Sequence, residues 1–351
     1  MDRKDLLNEA TYDRNRAAEW FWQRSQVLGI SRRRILQLLA LGTGSTAATI
    51  LAKPNQSHKA IANESGAIVK QVRPDWFYQM NTNLEMRWEN MYDRGYIVPN
   101  HLFFVRNNNP TPLIEADRWR LNVFGDGVSH PRSFSYSELL QMPSVSVIRA
   151  IECAGNGRSF YQTAYGKAAS GTQWKLGGIG VAEWTGVPMS EILERAGLQF
   201  TARDVMPISL DANKVQRPIP IEKALANDTL VVYAMNGDTL PRDHGFPVRL
   251  LVSGWVGIAS IKWLGSIQVS RSSLFSLYNT QKYILIGEDY PVNRQLQAAG
   301  VLGKIATKQK PKSAFELSWD GEIPSGKRLL RGRSWSGVDK ISKPIFLTNL
   351  F

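Results

Sequence analysis

The stretch from Arg118 to Ser270 constrains the fold most: short β-rich runs separated by turn clusters, with helical periodicity confined to two brief segments. Arg118 to Phe124 alternates as a strand does, Val145 to Glu152 is apolar enough for a buried strand, and Leu230 to Met235, Val248 to Val252 and Ile258 to Val269 are further β-rich runs. Turns are supplied by Asn236-Gly237-Asp238 and Pro241-Arg242-Asp243. Tyr136 to Met142 predicts a short helix closed by Pro143; Val187 to Ala196 predicts another, with Pro188 in its first turn and Gly197 as its stop. This order is not the regular βαβ alternation of a doubly wound sheet, so it predicts an α+β fold with a mixed sheet. Upstream, residues 67–118 hold short apolar pieces such as His101 to Val105 that read as strands, and no long helix is expected. The pattern changes near Pro291, after which Gly, Pro, Ser and Lys flank short alternating runs such as Ala314 to Trp319, the signature of a small all-β module.

At 351 residues and 43% apolar composition the chain can bury one large core or two ordinary ones. Its net charge of +13 raises nucleic acid as a partner, but the excess sits at the two ends. Residues 1–62 hold ten Lys/Arg against five Asp/Glu, and residues 304–343 hold ten against four. The middle is nearly balanced and carries no basic stripe interleaved with aromatics, which argues against nucleic acid while leaving a modest pull on small anions. One cysteine and four histidines exclude a disulfide framework and a zinc site built from cysteine pairs.

A charged segment, then Ser31-Arg32-Arg33-Arg34-Ile35-Leu36, a mildly apolar run from Leu38 to Ala52 and a small-residue Ala60-Ile61-Ala62 site follow the layout of an export signal. The run is too short and too diluted by Gly, Ser and Thr to span a membrane with ease. The arginines make it similar to a twin-arginine signal, with an uncleaved anchoring helix as the alternative.

Three segments could carry chemistry. Ile151-Glu152-Cys153-Ala154-Gly155-Asn156-Gly157-Arg158 puts the lone cysteine where an apolar strand enters a glycine-rich turn. Small neighbours let a bulky ligand approach the sulfur, and Arg158 is expected to lower the thiol pKa. A free cysteine is commonly a buried packing residue, so this segment alone leaves both readings open. Asp243-His244-Gly245-Phe246-Pro247-Val248-Arg249 sets an imidazole and a guanidinium around a turn, upstream of Ser260-Ile261-Lys262-Trp263, and both can donate to a phosphate or an oxyanion. Phe103-Phe104-Val105-Arg106-Asn107-Asn108-Asn109 ends an apolar piece in a polar, arginine-bearing loop.

Together these residues resemble the molybdopterin domain of the sulfite oxidase and plant-type nitrate reductase family. The resemblance rests on F-V-R-N at 104–107, C-A-G-N at 153–156, W-T-G-V-P at 184–188, M-N-G-x-x-L-P-R-D-H-G-F-P-V-R at 235–249 and I-K-W-L at 261–264, in the family's order. It implies a mixed-sheet molybdopterin-binding domain over 63–285, following an N-terminal extension over 1–62 with the export signal. Residues 286–351 would then be a partial immunoglobulin-like β-sandwich, the family's dimerisation module, of which Ser334-Trp335-Ser336-Gly337 resembles the start. By the same resemblance Cys153 is the protein ligand to molybdenum in a molybdenum-molybdopterin cofactor, and soft sulfur suits that role. Arg106, Asn107, Asn108, Asp211, His244, Arg249, Ser260, Ile261 and Lys262 would hold the pterin and its phosphate. Arg106, Arg158, Trp174 and Tyr283 would line the oxyanion pocket beside the metal.

The implied reaction is oxidation of sulfite to sulfate, with electrons leaving singly to a c-type cytochrome; nitrate or sulfoxide reduction, or an inactive cofactor-binding protein, are the alternatives. The implied setting is the periplasm or the thylakoid lumen, reached through the twin-arginine translocation machinery, with a homodimer as a possible assembly. Three departures stand out. Asn108 occupies a position where many sulfite oxidases have histidine, Gly157 one where they commonly have arginine, and the family's further substrate-facing arginine of the sandwich module has no counterpart that can be assigned.

Overall fold

The computed structural model describes residues 67–298, 300–327, 329–337 and 341. The export signal lies outside the described residues. The described chain opens with a hairpin of β1 (Phe77–Met80) and β2 (Asn83–Met86). Then come β3 (Arg120–Phe124), β4 (Arg132–Ser135), α1 (Tyr136–Gln141) and β5 (Val145–Glu152). Helix α1 forms where expected because Ser135 and Glu138 make a reciprocal capping box at its start. Next are α2 (Phe160–Tyr165), β6 (Ile179–Pro188), α3 (Met189–Arg195), β7 (Asp204–Ser209), β8 (Ile219–Pro220) and α4 (Ile221–Ala224). The helix predicted from Val187 begins at Met189 instead, since Val187 and Pro188 still belong to β6. Strands β9 (Thr229–Met235), β10 (Asp238–Thr239), β11 (Arg249–Val252) and β12 (Leu264–Ser270) complete two five-stranded sheets.

One sheet runs β10-β9-β6-β5 with β11 also on β9, all antiparallel. The other runs β4-β3-β12-β7-β8 and is mixed, because β3 and β12 pair in parallel. The first sheet is covered on both faces, and its side chains show why its strands are uniformly apolar. Val231 of β9 with Leu250 and Val252 of β11 face a core shared with Leu121, Ile192, Val205 and Ile267. Their neighbours Leu230, Val232 and Leu251 face a second core built on Phe103, Phe104, Trp174 and Trp184. Each such aliphatic side chain stabilises the fold by about 1.5–3 kcal/mol.

Three sequence expectations give way to packing. His101 to Val105 is a turn that touches β2 through a single bridge, Val105 to Leu84, rather than a strand. Strand β5 is only half-buried until Ile151 and Glu152, because it lies at the sheet edge. The run from Ile258 to Val269 is broken: a 3-10 turn at Gly257–Ala259 and a left-handed Trp263 (φ 50°) precede β12, leaving Ser260 to Lys262 irregular.

Beyond β12, α5 (Leu277–Thr280) leads to Tyr283 and β13 (Ile284–Leu285), then α6 (Arg294–Ala298) and β14 (Lys304–Ile305). A last hairpin, β15 (Lys312–Phe315) with β16 (Gly332–Trp335), packs Trp335 into the second core. Trp88 Nε1 donates to Phe315 O at 2.7 Å, and Gly337 closes on Gly254 so tightly that a Cβ on either would lie 2.1 Å from the other's carbonyl oxygen.

Candidate active site

Cys153 follows the last residue of β5, and its N–H continues the ladder by donating to Gly178 O at 2.8 Å. The chain then turns: Asn156 N donates to Cys153 O at 2.9 Å and Gly155 N donates to Cys153 Sγ at 3.4 Å. Asn156 fastens the turn to the next strand, accepting from Gly178 N at 3.0 Å and donating to Glu152 Oε1 at 3.0 Å. A Cβ at 155 would stand 2.9 Å from the Arg158 guanidinium and would push it aside. That guanidinium folds back across the turn and donates to Thr172 O at 2.8 Å.

The sulfur stands on the wall between two cavities. The inner one has about 730 Å³ of atom-free space and is lined by Arg106, Asn107, Asn108, Asp211, His244, Arg249, Ser260, Ile261 and Lys262 together with Cys153. The outer one, with about 2320 Å³ of such space and open to solvent, is lined by Arg158 and Trp174. Arg106, Cys153, Ala154 and Tyr283 line both. Every residue assigned above to the pterin thus faces the inner cavity, and every residue assigned to the oxyanion pocket faces the outer one.

The inner cavity is a nest of buried cations. Arg249 donates from Nη1 to His244 O and from Nη2 to Ser260 O, both at 3.0 Å, while its Nε has no partner. Lys262 Nζ donates to Asp243 O at 2.7 Å and to Asn107 Oδ1, and Asn109 Nδ2 donates to Asp211 at 2.8 Å. Burial, followed by the neighbouring cations, pushes the His244 imidazole and the Lys262 ammonium well below their ordinary values, and burial brings Arg249 down to about 9. Basic groups so placed hold their protons poorly until an anion joins them. An unpartnered guanidinium N–H in this setting fits a phosphate-bearing ligand. Among the described residues no cluster of His, Cys, Asp and Glu could hold a metal by itself. Cys153 would therefore be the chain's ligand to a metal that arrives with ligands of its own.

Burial dominates and raises the thiol pKa, while Arg106 first and Arg158 after it pull it down, Arg158 in the expected direction but outweighed. A metal at Sγ would displace that proton.

Side chains that sequence reasoning missed back or border the site. Lys70 enters from the N-terminal loop, where its ammonium donates to Asn100 O at 2.9 Å and Phe103 O at 2.6 Å and lies 2.9 Å from His244 Nε2. Burial lowers it to about 7 despite Asp243 nearby. Asp243 accepts from the N–H groups of Val69 and Lys70 and from Thr111, fixing that loop beside His244. Lys282, Lys304, Lys308 and Lys310 are exposed on the outer cavity's wall. Asp243 was inside a motif already read; Lys70 and the lysines sit in segments without local pattern.

Comparison with known proteins fits this geometry. Residues 108–278 match the oxidoreductase molybdopterin binding domain. The mitochondrial sulfite oxidase of Homo sapiens is 32% identical over 253 residues, which cover 69% of this chain and 45% of that protein. An NADH nitrate reductase of Cichorium intybus is 31% identical over 209 residues, 56% of this chain and 22% of that one. The crystal structure of the sulfane dehydrogenase SoxCD from Paracoccus pantotrophus superposes with a TM-score of 0.63 at 26% identity, covering 77% of this chain and 66% of that one. The chain spans less than half the length of the sulfite oxidase it matches. A cysteine poised between a cationic nest and an arginine-walled cleft, in this fold and with these relatives, places the chain in the sulfite oxidase family of molybdopterin-dependent oxidoreductases.

Proposed function

We propose that this chain catalyses oxidation of sulfite to sulfate and passes the electrons singly to an external carrier, a c-type cytochrome. The observation that carries the reading is the position of Cys153 Sγ between a cavity suited to an anionic cofactor and one suited to an anionic substrate. Bound at Cys153, the molybdenum cofactor would supply two-electron oxygen-atom transfer chemistry. The chain's own residues do the rest. Arg249, Lys262 and His244 line the inner cavity and gather the cofactor's negative charge, with the Lys70 ammonium behind them at His244 Nε2. Arg106 and Arg158 face the outer cleft and hold the substrate's oxygens by charge-assisted hydrogen bonds. Arg106 Nη2 lies 3.4 Å from Tyr283 Oη, so phenol and guanidinium are set against the same ligand. Trp174 gives the outer cleft an apolar wall, backed edge-on by Phe104 of the inner cavity, which strengthens those contacts.

The human and chicken relatives bear the name sulfite oxidase, which supports sulfite over other oxyanions. The nitrate reductase relative supports a second reading, reduction of nitrate at the same site. Ser31 to Leu36 and the run after it support export by the twin-arginine route to the periplasm or thylakoid lumen. The test is molybdenum analysis of protein made in a host that synthesises molybdopterin, with sulfite-dependent reduction of ferricyanide and of cytochrome c. Metal near one per chain with sulfite turnover is expected; bound metal with turnover of nitrate alone would overturn the sulfite assignment.

A further inference from the structure

Arg217 lies in the loop between β7 and β8, and its side chain is fully buried. Its guanidinium donates to two main-chain carbonyls from different segments: Nη1 to Tyr278 O in α5 and Nη2 to Ala306 O just after β14. Its Nε has no partner, and the guanidinium carbon stands 6.0 Å from the centroid of the Tyr283 ring. Tyr278 and Ala306 bracket that tyrosine. The Tyr278 ring is 6.0 Å from the Tyr283 ring, and Ala306 N donates to Tyr283 O at 2.9 Å. Tyr283 itself has a left-handed backbone (φ 56°), a conformation a bulky residue keeps only under restraint from its surroundings. Burying a guanidinium without a carboxylate is costly. Here the fork of donors reaches both segments at once, which the single ammonium of a lysine cannot do.

We propose that Arg217 is the positioning residue for Tyr283, clamping the segments on either side of it so that the phenol meets Arg106 on the wall shared by the two cavities. The inference rests on the reading of Tyr283 and Arg106 as substrate-facing groups, and one arm of its test does not depend on that reading.

In protein labelled with 3-fluorotyrosine and free of cofactor, the 19F resonance of Tyr283 is the one lost in Tyr283→Phe. Arg217→Met should shift or broaden it, and Arg217→Lys should move it part of the way. In molybdenum-loaded protein, Arg217→Met should lower kcat/KM for sulfite about ten- to a hundredfold at unchanged metal content, the size of loss a misplaced substrate group produces. Its KM-against-kcat split should match that of Tyr283→Phe, and the double variant should be no worse than Tyr283→Phe alone. An unmoved resonance in Arg217→Met, or in Arg217→Lys if the methionine variant does not fold, would overturn the proposal. So would losses that multiply in the double variant. If the wild type does not oxidise sulfite, the sulfite reading fails and the resonance still decides the role of Arg217.

Discussion

The bond between Lys312 and Glu152 ties the last hairpin to the residue next to Cys153, and Lys312→Met tests what that bond is worth. Lys312 Nζ donates to Glu152 Oε1 at 2.7 Å and to Asn156 O at 3.2 Å, with the Glu152 side chain 3% exposed and the Lys312 side chain 35% exposed. Without the ammonium, the carboxylate keeps only neutral donors, Asn156 Nδ2 at 3.0 Å and Trp335 Nε1 at 3.1 Å. Removing one partner of a buried pair costs about 3–5 kcal/mol, and the partial exposure of the lysine reduces that to about 2–3 kcal/mol. Glu152→Gln should cost less, since its amide needs no counter-charge. Adding it to Lys312→Met should recover about 1–2 kcal/mol of the loss. The assay is urea unfolding at neutral pH of the four members of this cycle, cofactor-free, with molybdenum retention of the loaded forms measured in parallel. A Lys312→Met cost below about 0.5 kcal/mol, typical of a solvated surface pair, would refute the reasoning, as would strict additivity.

Three other expectations can be checked with conventional assays. Cys153→Ser should lose molybdenum and more than about 100-fold in turnover, beyond the 10–100-fold typical of changing an outer partner of a metal ligand; retained metal and activity would remove Cys153 from the ligand role. Arg158→Ala should raise KM for sulfite roughly ten- to a hundredfold, because a hydrogen bond to a charged group contributes roughly 1.5–3 kcal/mol, and a change in kcat alone would contradict that. The third concerns pH: Lys70, lowered from 10.5 to about 7 by burial, binds fewer protons folded than unfolded between those values. Stability of the cofactor-free chain should therefore fall as pH drops from 10.5 to 7, by up to about 1.4 kcal/mol per pH unit from this group, and Lys70→Met should flatten the slope over that window. Equal slopes in both proteins would rule the lysine out as the cause.

The fold class and the central strands were legible because β-branched runs and turn residues are local signals, and β9 and α1 lie within a residue of where the sequence puts them. Cys153, His244, Arg249 and Lys262 were legible because they sit in long ordered motifs. What was not legible depends on contacts between distant segments. Lys70 reaches His244 across 174 positions, and Arg217 reaches Ala306 across 89. Neither has a neighbouring pattern that marks it. The broken run at 260–263 was read as strand because Ile258 to Val269 is rich in β-favouring residues, whereas Trp263 turns left-handed and gives its indole N–H to Arg242 O at 2.8 Å.

The parallel pairing of β3 with β12, Asn122 to Ser266 and Phe124 to Gln268, has a consequence in time. The whole first sheet lies in the chain between those partners, so the second sheet cannot close until the chain through β12 has been made. Contacts of such long sequence separation form late and slowly. The inner cavity draws Arg106 from before β3 and Ser260 to Lys262 from just before β12. Its two sides meet through contacts of the same long range, as where Lys262 Nζ donates to Asn107 Oδ1 across 155 positions. A chain cut short of Ser260 would lack one side of that cavity, so a grip on the cofactor is expected only once the chain through Lys262 is present.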